Sequence, residues 1–209
     1  TLDERAASAR WSGSGGPLAH FVRKTEVMGL LPAGVVDAIG LDDSESHTKR
    51  LVWGVDGKAG MIYFERFDTT LEGQWAFTGG DDRPGSQTAT LVGTRAAGSD
   101  PYAGNYTIVG QNRDAQAGYK GELVITRVGD RYDLMWTIDR VQSKGVALAD
   151  GDMLFGCWTE GAKACAAAVY LPMPDAPGRW SGRVTLSDSP TVAAETLVAD
   201  PASPPLSLE

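Results

Sequence analysis

The chain has 209 residues and a formal net charge of −8, from 27 acidic against 19 basic side chains, and 42% of its residues are hydrophobic. That acidity argues against a nucleic-acid or anionic-membrane surface, since both need cations to neutralise phosphate. No apolar run approaches the roughly 18 to 20 residues of a membrane-spanning helix, while the hydrophobic content is ample for one large β domain or two small ones.

The opening TLDERAASAR places Thr1 and Glu4 at capping-box spacing and reads as a short N-terminal helix. It lacks the apolar centre of a signal peptide, and a start at Thr1 fits a precursor cut after a leader as well as a trimmed chain. Leu30 to Asp43, LLPAGVVDAIGLDD, reads as a loop leading into a strand. Across the whole chain 26 glycines and 11 prolines punctuate short apolar runs with no sustained helical period, which predicts an all-β fold.

GMIYFERF is apolar on both faces and predicts a strand covered on both sides, as does ACAAAVYL further on. In TLEGQWAFTGG, Leu71, Gly73, Trp75 and Phe77 share one face, with Glu72, Gln74 and Thr78 opposite. Then come strands at Tyr102 to Gly110, Tyr119 to Val128, Arg131 to Asp139, Lys144 to Ala149, Met153 to Trp158, Ala164 to Leu171, Gly178 to Leu186 and Thr191 to Val198. Within them Tyr132, Leu134, Trp136 and Ile138 alternate with polar neighbours apart from Met135, and Trp180, Gly182, Val184 and Leu186 alternate with Arg179, Ser181, Arg183 and Thr185. Trp75, Trp136 and Trp180 are therefore expected in a core. Tight turns such as VGDR and ADGD make the order an antiparallel up-and-down meander, and unprotected edges favour barrel-like closure of the lipocalin or avidin kind.

Internal similarity runs through the chain. Trp53 and Trp158, Gly73 and Gly178, and Trp75 and Trp180 are each 105 residues apart, Tyr63 and Tyr170 are 107 apart, and the TLV at Thr90 recurs at Thr196. These offsets predict a tandem duplication: a first β repeat over 1–99 that lacks its first strand, a second over 100–198, and a flexible Pro/Ser-rich tail over 199–209. The repeats form either one pseudo-symmetric body or two barrels.

Residues 119–136, YKGELVITRVGDRYDLMW, followed by the turn at Gly151, Asp152 and Leu154, by Tyr170 and by Gly178 and Trp180, resemble a family of small bacterial β repeats. Some members carry the label fibronectin-binding protein. Leu71, Gly73 and Trp75 fill the same pattern in the first half. The resemblance covers residues 100–198 well and 50–93 more loosely, and it implies a fold, since the matching positions are packing residues. Two departures are the extra length with two cysteines before AAAVYL and Ala176 in place of a leucine.

Cys157 and Cys165 are the only cysteines, and the seven residues between them suit a disulfide across a hairpin, worth roughly 2 to 3 kcal/mol on the chain-entropy argument. Two free buried thiols are the alternative. A bond would favour a periplasmic or secreted setting.

Chemistry is sparse. His20 and His47 are the only histidines and stand in unlike contexts, so no histidine metal site or triad is expected. The acidic pairs Asp42-Asp43 and Asp81-Asp82 sit in polar loops, Glu65 and Glu122 are single inward-facing candidates, and calcium in the acidic turns has no regular ligand spacing behind it. No nucleotide motif is present, and no cofactor or metal is expected. What remains is aromatic: Trp53 and Trp158 beside hairpin turns, and Tyr119 at a strand start, are the candidate ligand-binding residues.

The reading is a non-catalytic exported binding protein for a small apolar or sugar-like ligand. The alternative is a structural or adhesive module that meets another protein through edge strands or hairpins, and the third is a hydrolase with an unrecognised acidic site. A disulfide predicts a mass gain of two hydrogens on reduction, read by intact-protein mass spectrometry; an unchanged mass means free thiols.

Overall fold

The structure, a computed structural model, describes residues 8–10, 24–26, 38–42, 46–78, 84–112 and 117–198. Among the described residues there are fifteen strands and no helix. The strands are β1 (Ser8–Arg10), β2 (Lys24–Glu26), β3 (Ala38–Asp42), β4 (Lys49–Val55), β5 (Lys58–Phe67), β6 (Thr70–Phe77), β7 (Gly85–Leu91), β8 (Gly104–Gln111), β9 (Gly118–Val128), β10 (Arg131–Ile138), β11 (Val141–Asp150), β12 (Met153–Glu160), β13 (Ala164–Pro172), β14 (Arg179–Leu186) and β15 (Val192–Val198). Of the expected N-terminal helix only residues 8–10 are described, and they form β1, paired antiparallel with β2. The tail over 199–209 lies outside the described residues.

Period-two alternation decides the elements. In β7 and β8 every second residue is buried, from Gly85 to Ala89 and from Tyr106 to Gly110, while the residues between are exposed. Between β10 and β11, Asp139 and Arg140 both take positive φ, 49° and 67°, the backbone that a two-residue hairpin matched to strand twist requires. Eight strands in sequence, β5 to β12, each pair with the next, and β12 returns to β5 through Cys157 opposite Met61 and Trp158 opposite Gly60. The meander thus closes into one barrel. Its wall takes strands from both sides of the 99/100 boundary, which falls in the connection between β7 and β8.

Apart from the β1–β2 pair, the other strands form a five-stranded sheet in the order β15-β14-β13-β4-β3. The β4–β5 and β12–β13 hairpins each place one strand in the sheet and one in the barrel, so the sheet lies against the outer wall formed by β5, β11 and β12. Met61, Tyr63, Val146, Leu148 and Phe155 from the wall pack there against Ile39, Val52, Ala167 and Val169 from the sheet. β5 and β13 are covered on both faces, as their composition predicts: Ile62 and Phe64 point into the barrel, while Ala166, Ala168 and Tyr170 face the far side of the sheet.

Register corrects two expectations about side-chain direction. Inward positions of β5 are the even-numbered ones through Ile62 and Phe64, and those of β9 are odd-numbered through Leu123 and Ile125. Glu65 and Glu122 therefore point out of the barrel, half-buried and exposed respectively. Trp180 faces the far-side cluster with Val184 and Leu186, as its alternation predicts, but is only half-buried there: it donates its indole N–H to the His47 carbonyl at 3.0 Å, with the Lys49 ammonium 5.0 Å from its ring centroid. It pairs with Pro172, whereas Trp75 pairs with Ile62 and Gly85 inside the barrel.

One end of the barrel is plugged. The 92–103 connection folds back over it, and Asp100 organises the plug: its Oδ1 accepts from the backbone N–H of Tyr102 (2.9 Å) and Ala103 (2.8 Å), and its Oδ2 from the Tyr132 hydroxyl (3.0 Å) and Arg127 (3.2 Å). The Tyr102 hydroxyl reaches the Gly151 carbonyl at 2.9 Å, and the Tyr106 hydroxyl reaches the Tyr102 carbonyl at 2.6 Å. Arg95 spans the network, donating to Tyr106 at 2.7 Å and to the carbonyls of Asp100 and Ala103. On the opposite side of the wall, Cys157 and Cys165 form a disulfide, fully buried between barrel and sheet, and the buried Arg50 of β4 pairs with Asp150 of β11.

Burial works against the Asp100 charge, but the four donors outweigh it and hold the carboxyl below its usual range. A depressed carboxyl contributes stability that is complete above about pH 4, its unfolded value, and is lost as pH falls through the folded one. Asp100→Asn is therefore expected to cost about 1 kcal/mol at pH 7 and to flatten the loss of stability below about pH 4. Urea melts from pH 2 to 7 check this; an acid limb as steep as in the wild type contradicts it.

Candidate functional site

The end of the barrel opposite the plug is hollow. A cavity of about 400 Å³ opens where β6, β8, β10 and β12 end and β5, β7, β9 and β11 begin. Its wall is aromatic: Trp75 and Phe77 from β6, Tyr119 from β9, Trp136 from β10 and Trp158 from β12, with Ile62 and Ile138 between them. Polar groups enter at Gln87 on the wall and at Asn112, Asp139, Ser143 and Glu160 near the strand ends.

The cavity follows from what stands opposite each ring. Trp158 pairs across the strands with Gly60, Trp75 with Gly85, and Tyr119 with Gly110. A Cβ at any of these glycines would lie 2.1 Å from a ring atom of its partner, so each aromatic lies flat over a neighbouring strand that carries no side chain there. The rings are thereby held against the wall instead of filling the centre. They support one another edge to face: Trp75 and Phe77 have centroids 5.5 Å apart, Phe77 and Trp158 5.5 Å, Trp75 and Trp158 6.2 Å, and Trp136 and Trp158 are tilted at 5.9 Å. One strand deeper along the same logic, Gly73 leaves room for the Phe64 ring, which a Cβ would approach to 2.6 Å.

Electrostatically the inner wall is neutral and the rim acidic. Asp139 and Glu160 are exposed, and the Trp158 N–H points to Glu160 Oε2 at 3.4 Å. Burial pushes the Tyr119 phenol up to about 12, against a smaller opposing pull from Trp75, so it stays protonated and donates to Gln87 Oε1 at 3.1 Å. Gln87 is 3% exposed, and its Nε2 is buried without a hydrogen-bond partner. Among the described residues, no group of three or more His, Cys, Asp or Glu side chains stands close enough to hold a metal ion. His20, Asp43, Asp81 and Asp82 lie outside the described residues.

Of the aromatic residues singled out in the sequence, Trp158 and Tyr119 meet in this cavity. Trp53 does not: it is 6% exposed in the cluster on the far face of the five-stranded sheet, because its strand β4 left the barrel for the sheet. Trp75 and Trp136, expected only in a core, have a double role, buried against the wall and lining the cavity. Phe77 and Gln87 were not singled out. Their signal is the interior register shared with Gly60, Gly85 and Gly110, which only strand pairing reveals.

A methyl group at Gly85 must push the Trp75 indole off the wall and into the cavity. Gly85→Ala is expected to cost about 1 to 3 kcal/mol, and Gly85→Ala combined with Trp75→Leu to recover most of that loss. Ser86→Ala, on the exposed face of the same strand, is expected to change little. Thermal melts of these variants, of Trp75→Leu alone and of the wild type check the coupling, and additive losses contradict it.

Compared with known proteins, the chain matches no family model, no curated protein and no solved structure.

Proposed function

We propose that this is a non-catalytic binding protein that takes one small apolar or sugar-like molecule into the open mouth of its barrel. The observation that carries the reading is the cavity of about 400 Å³ walled by Trp75, Phe77, Tyr119, Trp136 and Trp158. That volume lies in the range that encloses small molecules, and five rings with a few polar groups are the usual make-up of such a pocket. Rings flattened against a barrel wall offer faces and edges to a flat ligand with little rearrangement, since glycines hold them in place. In this reading the chain is exported, a setting in which the Cys157–Cys165 disulfide is stable. The offset of 105 residues is the trace of a tandem duplication of two β repeats, a reading supported by Trp53 opposite Ala166 and Trp158 opposite Gly60 at matching positions of β4 and β12.

A second reading, attachment to another protein by strand addition, has one observation in its favour. Among the described residues β15 borders only β14, and Ala193, Ala194 and Thr196 along it are exposed. The two readings separate experimentally. Titration with the uncharged dye N-phenyl-1-naphthylamine is expected to give one saturable site with quenching of tryptophan emission, weakened at least tenfold by Trp158→Ala. Methyl glucoside in the same assay decides between the apolar and the sugar-like class. Absence of saturable binding to either, or binding indifferent to Trp158→Ala, removes the cavity reading.

A further inference from the structure

Among the described residues, the hollow half of the barrel contains a buried polar side chain, that of Gln87, with an amide nitrogen left without a hydrogen-bond partner. Gln87 occupies an inward position of β7, directly opposite Gly73 of β6 and Gly110 of β8. Both neighbours lack side chains, and the rings of Phe64 and Tyr119 lie over them and border the carboxamide. Tyr119 fixes its orientation: the phenol, held protonated by burial, donates to Oε1 at 3.1 Å. This leaves Nε2 as the end without a partner, in a residue that is 97% removed from solvent and lines the cavity. A buried amide N–H₂ left unpaired is destabilising relative to one that is satisfied. An apolar side chain of similar length would fill the same place at no such cost.

We infer that Gln87 is the recognition group of the cavity, and that the ligand is an uncharged ring compound presenting a carbonyl-type oxygen at the end inserted into the barrel. This rests on the cavity reading above and names the ligand class for it. A donor without a partner selects an acceptor. Trp75 and Tyr119 flank it and supply the aromatic surroundings that a flat ring body fits. Neutrality follows from the inner wall, where the side chains around Gln87 are Trp75, Ala89, Ile108 and Tyr119 and none is a cation. A carboxylate inserted there would lose its hydration against a single amide donor, and at the rim it would pass the Asp139 and Glu160 carboxylates.

The test uses three probes of nearly one shape, 2-acetylnaphthalene, 2-ethylnaphthalene and 2-naphthoate, in calorimetric titrations of the full chain. The acetyl compound is expected to bind about tenfold tighter than the ethyl compound, with the naphthoate weakest of the three. In Gln87→Met, which keeps the side-chain length, that preference is expected to fall to about onefold. On the unmodified protein, the infrared carbonyl stretch of bound 2-acetylnaphthalene is expected at the lower wavenumber of a hydrogen-bonded ketone, a readout that stands even if the variant fails to fold. Equal affinities of the acetyl and ethyl compounds, or a free-ketone carbonyl frequency, overturn the role of Gln87 and leave the cavity reading intact. Tightest binding by the naphthoate overturns the neutral class, and no binding by any of the three removes the cavity reading as well.

Discussion

An eight-stranded barrel has an interior just wide enough for side chains to fill. The rest of this molecule depends on where they are withheld. Gly60, Gly73, Gly85, Gly110, Gly121, Gly145 and Gly156 all occupy inward positions, as strand pairing with inward neighbours such as Ile62, Trp75 and Trp158 establishes. At the plugged end Tyr102, Tyr106, Tyr132 and Leu154 use the available volume; the Tyr106 and Tyr132 hydroxyls are satisfied by the 92–103 connection and that of Tyr102 by the Gly151 carbonyl. Toward the open end Trp75, Tyr119 and Trp158 are each spread over a glycine, so the same residues that make the wall leave the axis clear. Plug and cavity are two outcomes of one packing rule applied at opposite ends.

The five-stranded sheet lies where the barrel needs support. β5 and β12 carry Gly60 and Trp158, the pair that closes the barrel, and their outer faces are covered by the sheet. The two hairpins that cross between barrel and sheet, the disulfide at Cys157 and the Arg50–Asp150 ion pair all act on this closing seam. Breaking the ion pair by removing one member would leave a charge in apolar surroundings, a larger cost than the pair itself returns. A seam that could slip by one residue would turn Trp158 out of the cavity and Cys157 into it, since inward and outward positions alternate. The disulfide opposes that slip, because Cys157 must stay on the outer face to reach Cys165.

Much of this was legible in the chain. Alternation around Trp75 and Trp136 gave their direction, the doubly apolar GMIYFERF and ACAAAVYL were recognisable as strands with two covered faces, and strands from Tyr119 onward fall within a few residues of their predicted ends. What local pattern cannot carry is which sheet a strand joins. Trp53 and Trp158 look alike in sequence, each at a strand end beside a hairpin, yet one lies in the sheet and the other in the barrel. Nor does it carry the partner across the ladder. Gly85 and Trp75 are ten residues apart, and Gly60 and Trp158 are far more distant, so the contacts that shape the cavity are non-local. Gln87 was passed over for that reason: a glutamine among Ser, Thr and Ala in a strand gives no sign of being enclosed.

The cavity itself limits what the protein can be. A dry void of 400 Å³ would cost about 10 kcal/mol at the rate found for engineered core cavities, which is comparable to the whole stability of an ordinary domain. A fold whose other half is closely packed and cross-linked would not carry that as an incidental defect. The mouth is open, so water enters and the cost falls to that of wetting five aromatic rings and one unpaired amide. A ligand of the proposed kind would return part of it by covering those rings, with a gain that grows with its concentration if only the folded barrel binds it. The plug, the seam and the disulfide therefore have a common physical meaning: they supply the stability that the hollow end gives up.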